Sequence, residues 1–468
     1  MSKVLMVASE ARPFAMTGGL ADVIGSLPAA LHEIGEEVAV LLPLYRNVAA
    51  DKIRRIYDDL PIWLSGTRYQ CSIYQASGPV PYYFLDCPEL YQRAGLYGTS
   101  LGDYPDNHIR FAVLCRAALE VVRRIFRPHV IHCHDWQSAL VPAYLHTTLS
   151  GDPTFAGLKT LFTIHNLGYQ GLFPRAALAE IGLDDALFTP AGLEFFGKVN
   201  LMKAALLYSD ALNTVSKAYA REIQTDEFGW GLDGLLRERN AVLTGILNGA
   251  DYSQWNPETD LYIPARYSAR DLSGKRKCKE ALLREFGFPV DSTPLIGVVT
   301  RLAGQKGADL IAAAGPELAA QDVRLVALGS GDPKLEKLFA DLAAAYPSKI
   351  AVRIGYDDRL AHRIEAGADM FLMPSRYEPC GLNQMYSLRY GTIPIVRATG
   401  GLDDTIDQDT GFKFEEYSVV ALLGAIGEAL VEFGSPVKWS ARMERAMSKD
   451  FSWSVSAVEY SKLYKQLA

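Results

Sequence analysis

Short, unbroken apolar runs recur along the chain, separated by stretches in which apolar residues return every three or four positions. In the first half the runs lie at residues 4–8, 38–42, 82–85, 130–133, 161–164 and 211–215. Strands that are apolar on both faces belong in a parallel sheet covered by helices on each side, and the periodic stretches between them predict those helices. The clearest spans 110–126. Phe111, Leu114, Ala118, Val121, Val122 and Ile125 fall at helical spacing, Arg123 and Arg124 sit in the last turns, and Pro128 follows before the next strand. A second series, at 295–299, 324–328, 350–354, 370–373 and 393–396, begins after a polar, charged and Pro-containing region at 251–292. The pattern predicts an α/β protein of two doubly wound, Rossmann-like sheets in series. The break falls near 245–251, and a ligand is expected in the cleft between the two at the carboxyl ends of the strands. Val455, Val458, Tyr460, Leu463, Tyr464 and Leu467 lay an apolar stripe along a terminal helix, which must dock on a partner surface.

Composition narrows this picture. A chain of 468 residues, 49% hydrophobic and 22% charged, is an ordinary globular protein and excludes disorder or a fibrous repeat. The formal net charge of −7 disfavours duplex nucleic acid as the main ligand, because that affinity comes from clustered cations. Cys71, Cys87, Cys115, Cys133, Cys278 and Cys380 are scattered without a CxxC pair, as expected of reduced thiols in a cytoplasmic protein. The first apolar run ends after five residues at Ser9 and Glu10, shorter than a signal-peptide core of about 7–15 residues. No run approaches the roughly 20 apolar residues needed to span a bilayer.

Five loops could carry chemistry, and each follows a predicted strand. Met16-Thr17-Gly18-Gly19-Leu20-Ala21-Asp22 leads into a helix whose free N–H groups suit an anion, although it is not the GxGxxG of a dinucleotide fold. Thr300-Arg301-Leu302-Ala303-Gly304-Gln305-Lys306-Gly307 puts two cations five residues apart, a spacing that suits a diphosphate. Pro374-Ser375-Arg376-Tyr377-Glu378-Pro379-Cys380-Gly381-Leu382 offers a carboxylate beside a helix expected at 383–390, able to bond sugar hydroxyls or face a developing positive charge. His132-Cys133-His134-Asp135-Trp136 and Phe162-Thr163-Ile164-His165-Asn166 complete the set. Neighbouring strand residues point to opposite faces, so the His-Cys-His-Asp run is not expected to ligate one metal, and Asp407-Gln408-Asp409 reads as a polar turn. The bland alternatives are a plain strand-to-helix turn, a solvated loop with two surface cations and a helix N-terminal charge.

Taken together, these loops carry long motifs in one order: TGGLADVIGSLPAAL (17–31), HDWQ (134–137), FTIHNLGYQG (162–171), LNGAD (247–251), TRLAGQKG (300–307), IGYDD (354–358), PSRYEPCGLNQMYSLRYGT (374–392) and TGGLDDT (399–405). Across essentially its whole length the chain resembles bacterial glycogen synthases and plant starch synthases. The resemblance implies the GT-B fold, with two Rossmann-like domains facing a cleft. Residues 1–247 would form the acceptor-side domain and 248–451 the nucleotide-sugar domain, while a helix at 452–468 packs back on the first. It implies retaining, metal-independent transfer of glucose from ADP-glucose to the non-reducing end of an α-1,4-glucan such as glycogen, with no cofactor besides that co-substrate. Arg301 and Lys306 would neutralise the diphosphate, Glu378 would hold sugar hydroxyls and face the cationic sugar, and His165 would lie against the donor glucose. Met16, Gly18, Gly19, Asp22, Asp135, Asn166, Asn248, Tyr356, Cys380, Gly381 and Leu382 fall at substrate-binding positions, Tyr356 near the adenine. Nucleic acid and membranes are not implied as partners. One departure stands out: the family's first loop usually reads Lys-x-Gly-Gly, and here Met16 takes the place of the lysine, with Arg12 nearby as a possible substitute cation. Two rivals follow, a catalytically silent glucan-binding homologue and a related transferase with a small acceptor.

Overall fold

Lys3–Val7 shows why the first runs become strands: four of its five residues are buried, so the strand is apolar on both faces and belongs inside a covered parallel sheet. In the computed structural model, which describes residues 1–49 and 52–468, the chain forms two compact units. The first contains Met1–Val215, Ala220–Gly249 and Trp453–Ala468; the second contains Ser216–Tyr219 and Ala250–Ser452.

The first unit is built on a nine-stranded sheet. Its strands are β1 (Lys3–Val7), β2 (Glu37–Pro43), β3 (Ile53–Leu64), β4 (Thr67–Ala76), β5 (Tyr82–Asp86), β6 (Val130–His134), β7 (Lys159–Ile164), β8 (Ala211–Thr214) and β9 (Leu243–Gly245). Their spatial order is 9-8-7-6-1-2-5-4-3, parallel from β9 to β5. The winding reverses at β1, between β2 and β6, so the loops after β1 and β6 open the crevice where such sheets take ligands. The sequence pattern did not separate out β3 and β4, a long antiparallel hairpin on the edge. Its strands alternate in burial instead of running unbroken, and two register shifts between Arg55 and Leu60 blur the alternation.

The last helix, Trp453–Leu467, packs on the helix Gly19–Glu33. Its contacts are polar as well as apolar. Tyr460 Oη donates to Asn213 Oδ1 at 3.0 Å, Tyr464 Oη lies 2.8 Å from His132 Nδ1, and Ser461 Oγ donates to Glu36 at 2.6 Å. Both tyrosines are fully buried.

The second unit holds six parallel strands: β10 (Leu295–Val299), β11 (Arg324–Gly329), β12 (Ile350–Ile354), β13 (Met370–Met373), β14 (Ile393–Arg397) and β15 (Phe412–Phe414). The order is 12-11-10-13-14-15, and the reversal lies between β10 and β13. Ser216 Oγ donates to Pro379 O at 2.6 Å and Ala218 N to the Asp404 carboxylate at 2.8 Å, which ties Ser216–Tyr219 into this unit. Asp407 takes an ion pair from Lys449 and hydrogen bonds from Thr410 and Asp409 N, so the Asp-Gln-Asp segment is a self-satisfied turn. Among the described residues no single helix is long and apolar enough to cross a membrane.

Removing the Tyr460 ring should destabilise the first unit by roughly 3–5 kcal/mol, the range for emptying a buried aromatic site. Tyr464→Phe keeps the ring and strands only the His132 contact, and should cost about 1–2 kcal/mol. Urea denaturation of the two variants checks the ordering; no loss of stability in Tyr464→Phe would show that packing alone docks the helix.

Candidate active site

In the second unit the two loops at the reversal of strand order, after β10 and after β13, meet. A 3-10 turn at Gly304–Lys306 turns Lys306 toward the second loop, where its Nζ lies 2.8 Å from Glu378 Oε1 and 2.6 Å from Oε2. Ser375 Oγ donates to the same carboxylate at 3.0 Å, and Glu378 is only 3% exposed. A buried carboxylate beside one ammonium is held firmly, because removing either partner leaves an uncompensated charge. Arg301 stays exposed at the rim and donates to Gln305 Oε1 at 3.2 Å, while Arg376 N donates to Gln305 O at 2.8 Å. The backbone of the Glu378 loop is fixed from beneath by Gly400 and Gly401. Gly401 N donates to Glu378 O at 3.0 Å, and a Cβ on Gly400, whose φ is +45°, would stand 1.9 Å from that oxygen.

The remaining second-unit candidates are placed less uniformly. Cys380 is buried, and Gly381 and Leu382 lead directly into the helix Asn383–Arg389. Tyr356 follows β12, two strands from β10, is 74% exposed, and bonds Asp358 at 3.2 Å, so it stands apart from the Lys306–Glu378 pair.

In the first unit the loop after β1 is organised by a residue that motif reading passed over. Glu10, 4% exposed, accepts from Thr17 N at 2.5 Å, Thr17 Oγ1 at 2.6 Å, Gly18 N at 3.2 Å and Tyr97 Oη at 2.6 Å. This fixes the start of the Gly18-Gly19 turn, from which Met16 projects 48% exposed. Arg12, the proposed substitute cation, pairs through its Nε with Asp22 at 3.0 Å. Asn248 lies beyond the carboxyl end of β9, buried, and its Oδ1 has no hydrogen-bond partner among the described residues.

Asp135 and His165 come together at the carboxyl ends of β6 and β7. Asp135 has φ 56° and ψ 179°, a region normally left to glycine, and is held there by accepting from His165 N at 2.8 Å and from Asn166 N. His165 Nε2 lies 3.0 Å from His134 Nδ1, and the His134 ring lies 4.0 Å from that of His132, tilted by 37°. Burial dominates the charges here. It pushes the Asp135 carboxyl up to about 7, against the backbone N–H groups that pull it down, and drives His165 down to about 3. His132 and His134 fall well below the ordinary imidazole value, again through burial first and mutual repulsion second. The three rings are therefore neutral at pH 7, and His165 offers hydrogen bonds and shape, not charge.

Of the residues missed by sequence reading, Tyr97, Gly400 and Gly401 act from a distant part of the chain, whereas Glu10 and Ser375 lie within eight residues of the groups they hold. Ser375 and the Gly-Gly pair of residues 400–401 left a local trace, inside quoted motifs.

Known proteins place this geometry. The pattern described as starch synthase catalytic domain matches residues 3–238, and that described as glycosyl transferases group 1 matches residues 281–445. A glycogen synthase of Koribacter versatilis is 49% identical, covering 99% of this chain and 98% of its own; one of Anaeromyxobacter dehalogenans strain 2CP-1 is 50% identical over 100% and 99%. Among solved structures, the catalytic domain of starch synthase IV from Arabidopsis thaliana, bound to ADP and acarbose, matches with a TM-score of 0.91 and 34% identity over 100% of this chain and 99% of that one. A sucrose-phosphate synthase from Thermosynechococcus elongatus, 18% identical with a TM-score of 0.63 over 100% and 99%, shares the fold.

The neutral histidines set a pH dependence. A depressed imidazole contributes stability that is present above the unfolded value near 6.5 and is lost as pH falls toward the folded one, about 3 for His165. The raised Asp135 acts oppositely between 3.8 and about 7, but it is one group against three. The melting temperature should drop by roughly 5–10 °C from pH 7 to pH 5, and less steeply in His134→Asn. A melting temperature flat over that range would overturn the neutral assignment.

Proposed function

The chain belongs to the family of glycogen and starch synthases, and we propose that it moves glucose from ADP-glucose to the non-reducing end of an α-1,4-glucan, with retention and without a metal or cofactor. That it is a glycosyltransferase with the GT-B fold and glycogen synthase function follows from the family. The donor base, the stereochemical course and the residue roles are the proposal.

The observation that carries it is the Lys306–Glu378 pair beside exposed Arg301. When the bond between the sugar and the diphosphate breaks, negative charge grows on phosphate and positive charge on the anomeric carbon. Arg301 can fork a phosphate and Lys306 supplies a compact charge, which together do the work otherwise given to a divalent cation. Glu378, freed or shared by Lys306, takes sugar hydroxyls and faces the cationic sugar. The reaction is a front-face transfer in which the departing phosphate takes the acceptor proton. His165, neutral, contacts the donor glucose, while Asp135, Asn166 and Asn248 bind substrate hydroxyls; the Oδ1 of Asn248, without a partner among the described residues, supports that role. Gly18 and Gly19 present backbone to the donor, Asp22 pairs with Arg12 beside them, and Cys380, Gly381 and Leu382 line the helix start. Tyr356 is exposed for stacking on the base. ADP and acarbose on the Arabidopsis relative support an adenine nucleotide donor and a glucan acceptor. Six free, buried cysteines among the described residues support a cytoplasmic setting. The silent homologue and the small-acceptor transferase are not favoured, since the charged pair is intact and the full-length relatives are glycogen synthases.

Glucose incorporation into glycogen should proceed with ADP-glucose in preference to UDP-glucose, and Glu378→Gln should lower kcat by roughly 10² or more. Incorporation from neither donor by folded protein would overturn the assignment.

Met16 leaves the first loop without a cation. Met16→Lys should raise kcat/KM for ADP-glucose, by up to roughly 10² if the new charge reaches the donor. A value unchanged with both donors would show that the position does not bear on donor use.

A further inference from the structure

Exposed aromatics on the first unit gather on one surface. Phe196 is 84% exposed and Trp230 48%, with Tyr169 and Leu172 also open to solvent. Phe196 sits at the tip of a hairpin: Phe195 pairs with Lys198, leaving Phe196-Gly197 as a two-residue turn with φ 48° and 79°. Turns of that kind favour Asn-Gly, Asp-Gly or Gly-Gly, and a bulky aromatic at φ > 0 is strained. Trp230-Gly231 repeats the conformation, with φ 51° and 80°, in a distant segment. The two segments meet, since a Cβ on Gly231 would lie 2.9 Å from the Phe195 ring and 3.2 Å from that of Phe196. The Gln170 amide donates to Trp230 O at 3.2 Å and so fixes the second display, Gln170 being held in turn by Asn200 at 2.6 Å.

The hairpin is linked to the candidate site through its sheet. The hairpin belongs to a three-stranded sheet whose outer strand, Leu172–Pro174, carries Phe173, and that ring lies 5.8 Å from Trp136, the residue after Asp135. Aromatic faces exposed beside a site, two of them held in backbone conformations that glycine would adopt more cheaply, suit a neutral ligand with flat apolar faces that repeats along its length. The C–H faces of successive glucose rings have that character, and stacking on them needs no charge.

We propose that Phe196 and Trp230 form a platform that holds the α-glucan acceptor chain beyond the residues that react, with Trp136 linking it to Asp135. This rests on the glucan synthase reading and adds to it a binding surface for the body of the polymer.

The test compares wild type with the double variant Phe196→Gly/Trp230→Gly, which removes both rings and relieves both positive φ values, its melting temperature checked against wild type. Phe196→Tyr/Trp230→Phe keeps the stacking faces. Migration in native gels with and without glycogen gives the dissociation constant, and initial rates give KM for glycogen, maltotriose and donor. The glycine variant should bind glycogen about tenfold more weakly, with KM for glycogen raised in step. Its kcat, donor KM and KM for maltotriose should stay within about twofold, and the aromatic variant should behave as wild type. A glycine variant that binds glycogen as wild type does, or that loses donor and glycogen affinity together, overturns the platform while leaving the synthase reading intact. A wild type that neither binds nor extends glycogen overturns both. A dimer seen by sedimentation that the glycine variant abolishes, with glycogen affinity unchanged, assigns the patch to self-association and also overturns the proposal.

Discussion

A parallel sheet covered on both faces confines polar chemistry to its carboxyl edge, and every polar atom under the cover must find a partner. Around β6 and β7 much of that requirement is met by one connected chain of hydrogen bonds. Tyr460 bonds Asn213, Asn213 accepts from Thr163 at 2.8 Å, Thr163 lies 2.6 Å from His132 Nε2, and Tyr464 takes the other nitrogen of that ring. His134 lies against His132 and reaches His165, whose backbone N–H steadies Asp135. The terminal helix thus does more than cover an apolar surface. Its two phenols saturate the buried end of a network whose other end is the candidate site, so the site's geometry depends on residues more than 300 positions away in sequence.

The second unit solves a charge problem instead. Glu378 is buried, and its carboxylate is paired with Lys306 and bonded by Ser375. The same pairing holds the lysine in place. Arg301 stays exposed and donates to the Gln305 amide oxygen. Under the proposed reaction this layout supplies a preformed ion pair and a further exposed cation, which lowers the reorganisation needed when the sugar bond breaks.

Much of this was legible in the sequence because it is local. Interior strands such as Leu295–Val299 and Met370–Met373 coincide with their apolar runs, and the loops after them carry their chemistry in contiguous motifs. The edge hairpin Ile53–Leu64 and Thr67–Ala76 was not, since half-burial and bulges dilute its alternation. Nor was Glu10. In sequence it is a lone acid after a strand, and only folding brings Thr17, Gly18 and Tyr97 to its oxygens. Asp22 looked like a ligand residue in the Gly-Gly loop, and the fold shows that it also neutralises Arg12. Residues that position others across the fold leave no mark on their own neighbourhood, so motif reading finds the ligand-facing groups and misses their supports.

Backbone strain supplies a signal that the sequence does not contain at all. Among the described residues five that are not glycine have positive φ: Asp59, Ser65, Asp135, Phe196 and Trp230. Ser65 reverses the chain in the two-residue turn between β3 and β4, and Asp59 sits in that hairpin's register shift, so both have an architectural reason. Phe196 too reverses the chain in a two-residue turn, one that glycine or asparagine fills more cheaply, whereas Asp135 follows a strand end and Trp230 precedes a glycine. Glycine at any of these three would relax the backbone itself. Each nonetheless carries a side chain with specific chemistry, one carboxylate and two large rings. A conformational cost of about 1–3 kcal/mol at such a position weighs against any side chain there; at Asp135 the carboxylate accepts from His165 N and Asn166 N, and at Phe196 and Trp230 the proposed glucan platform is a use for rings that glycine cannot supply.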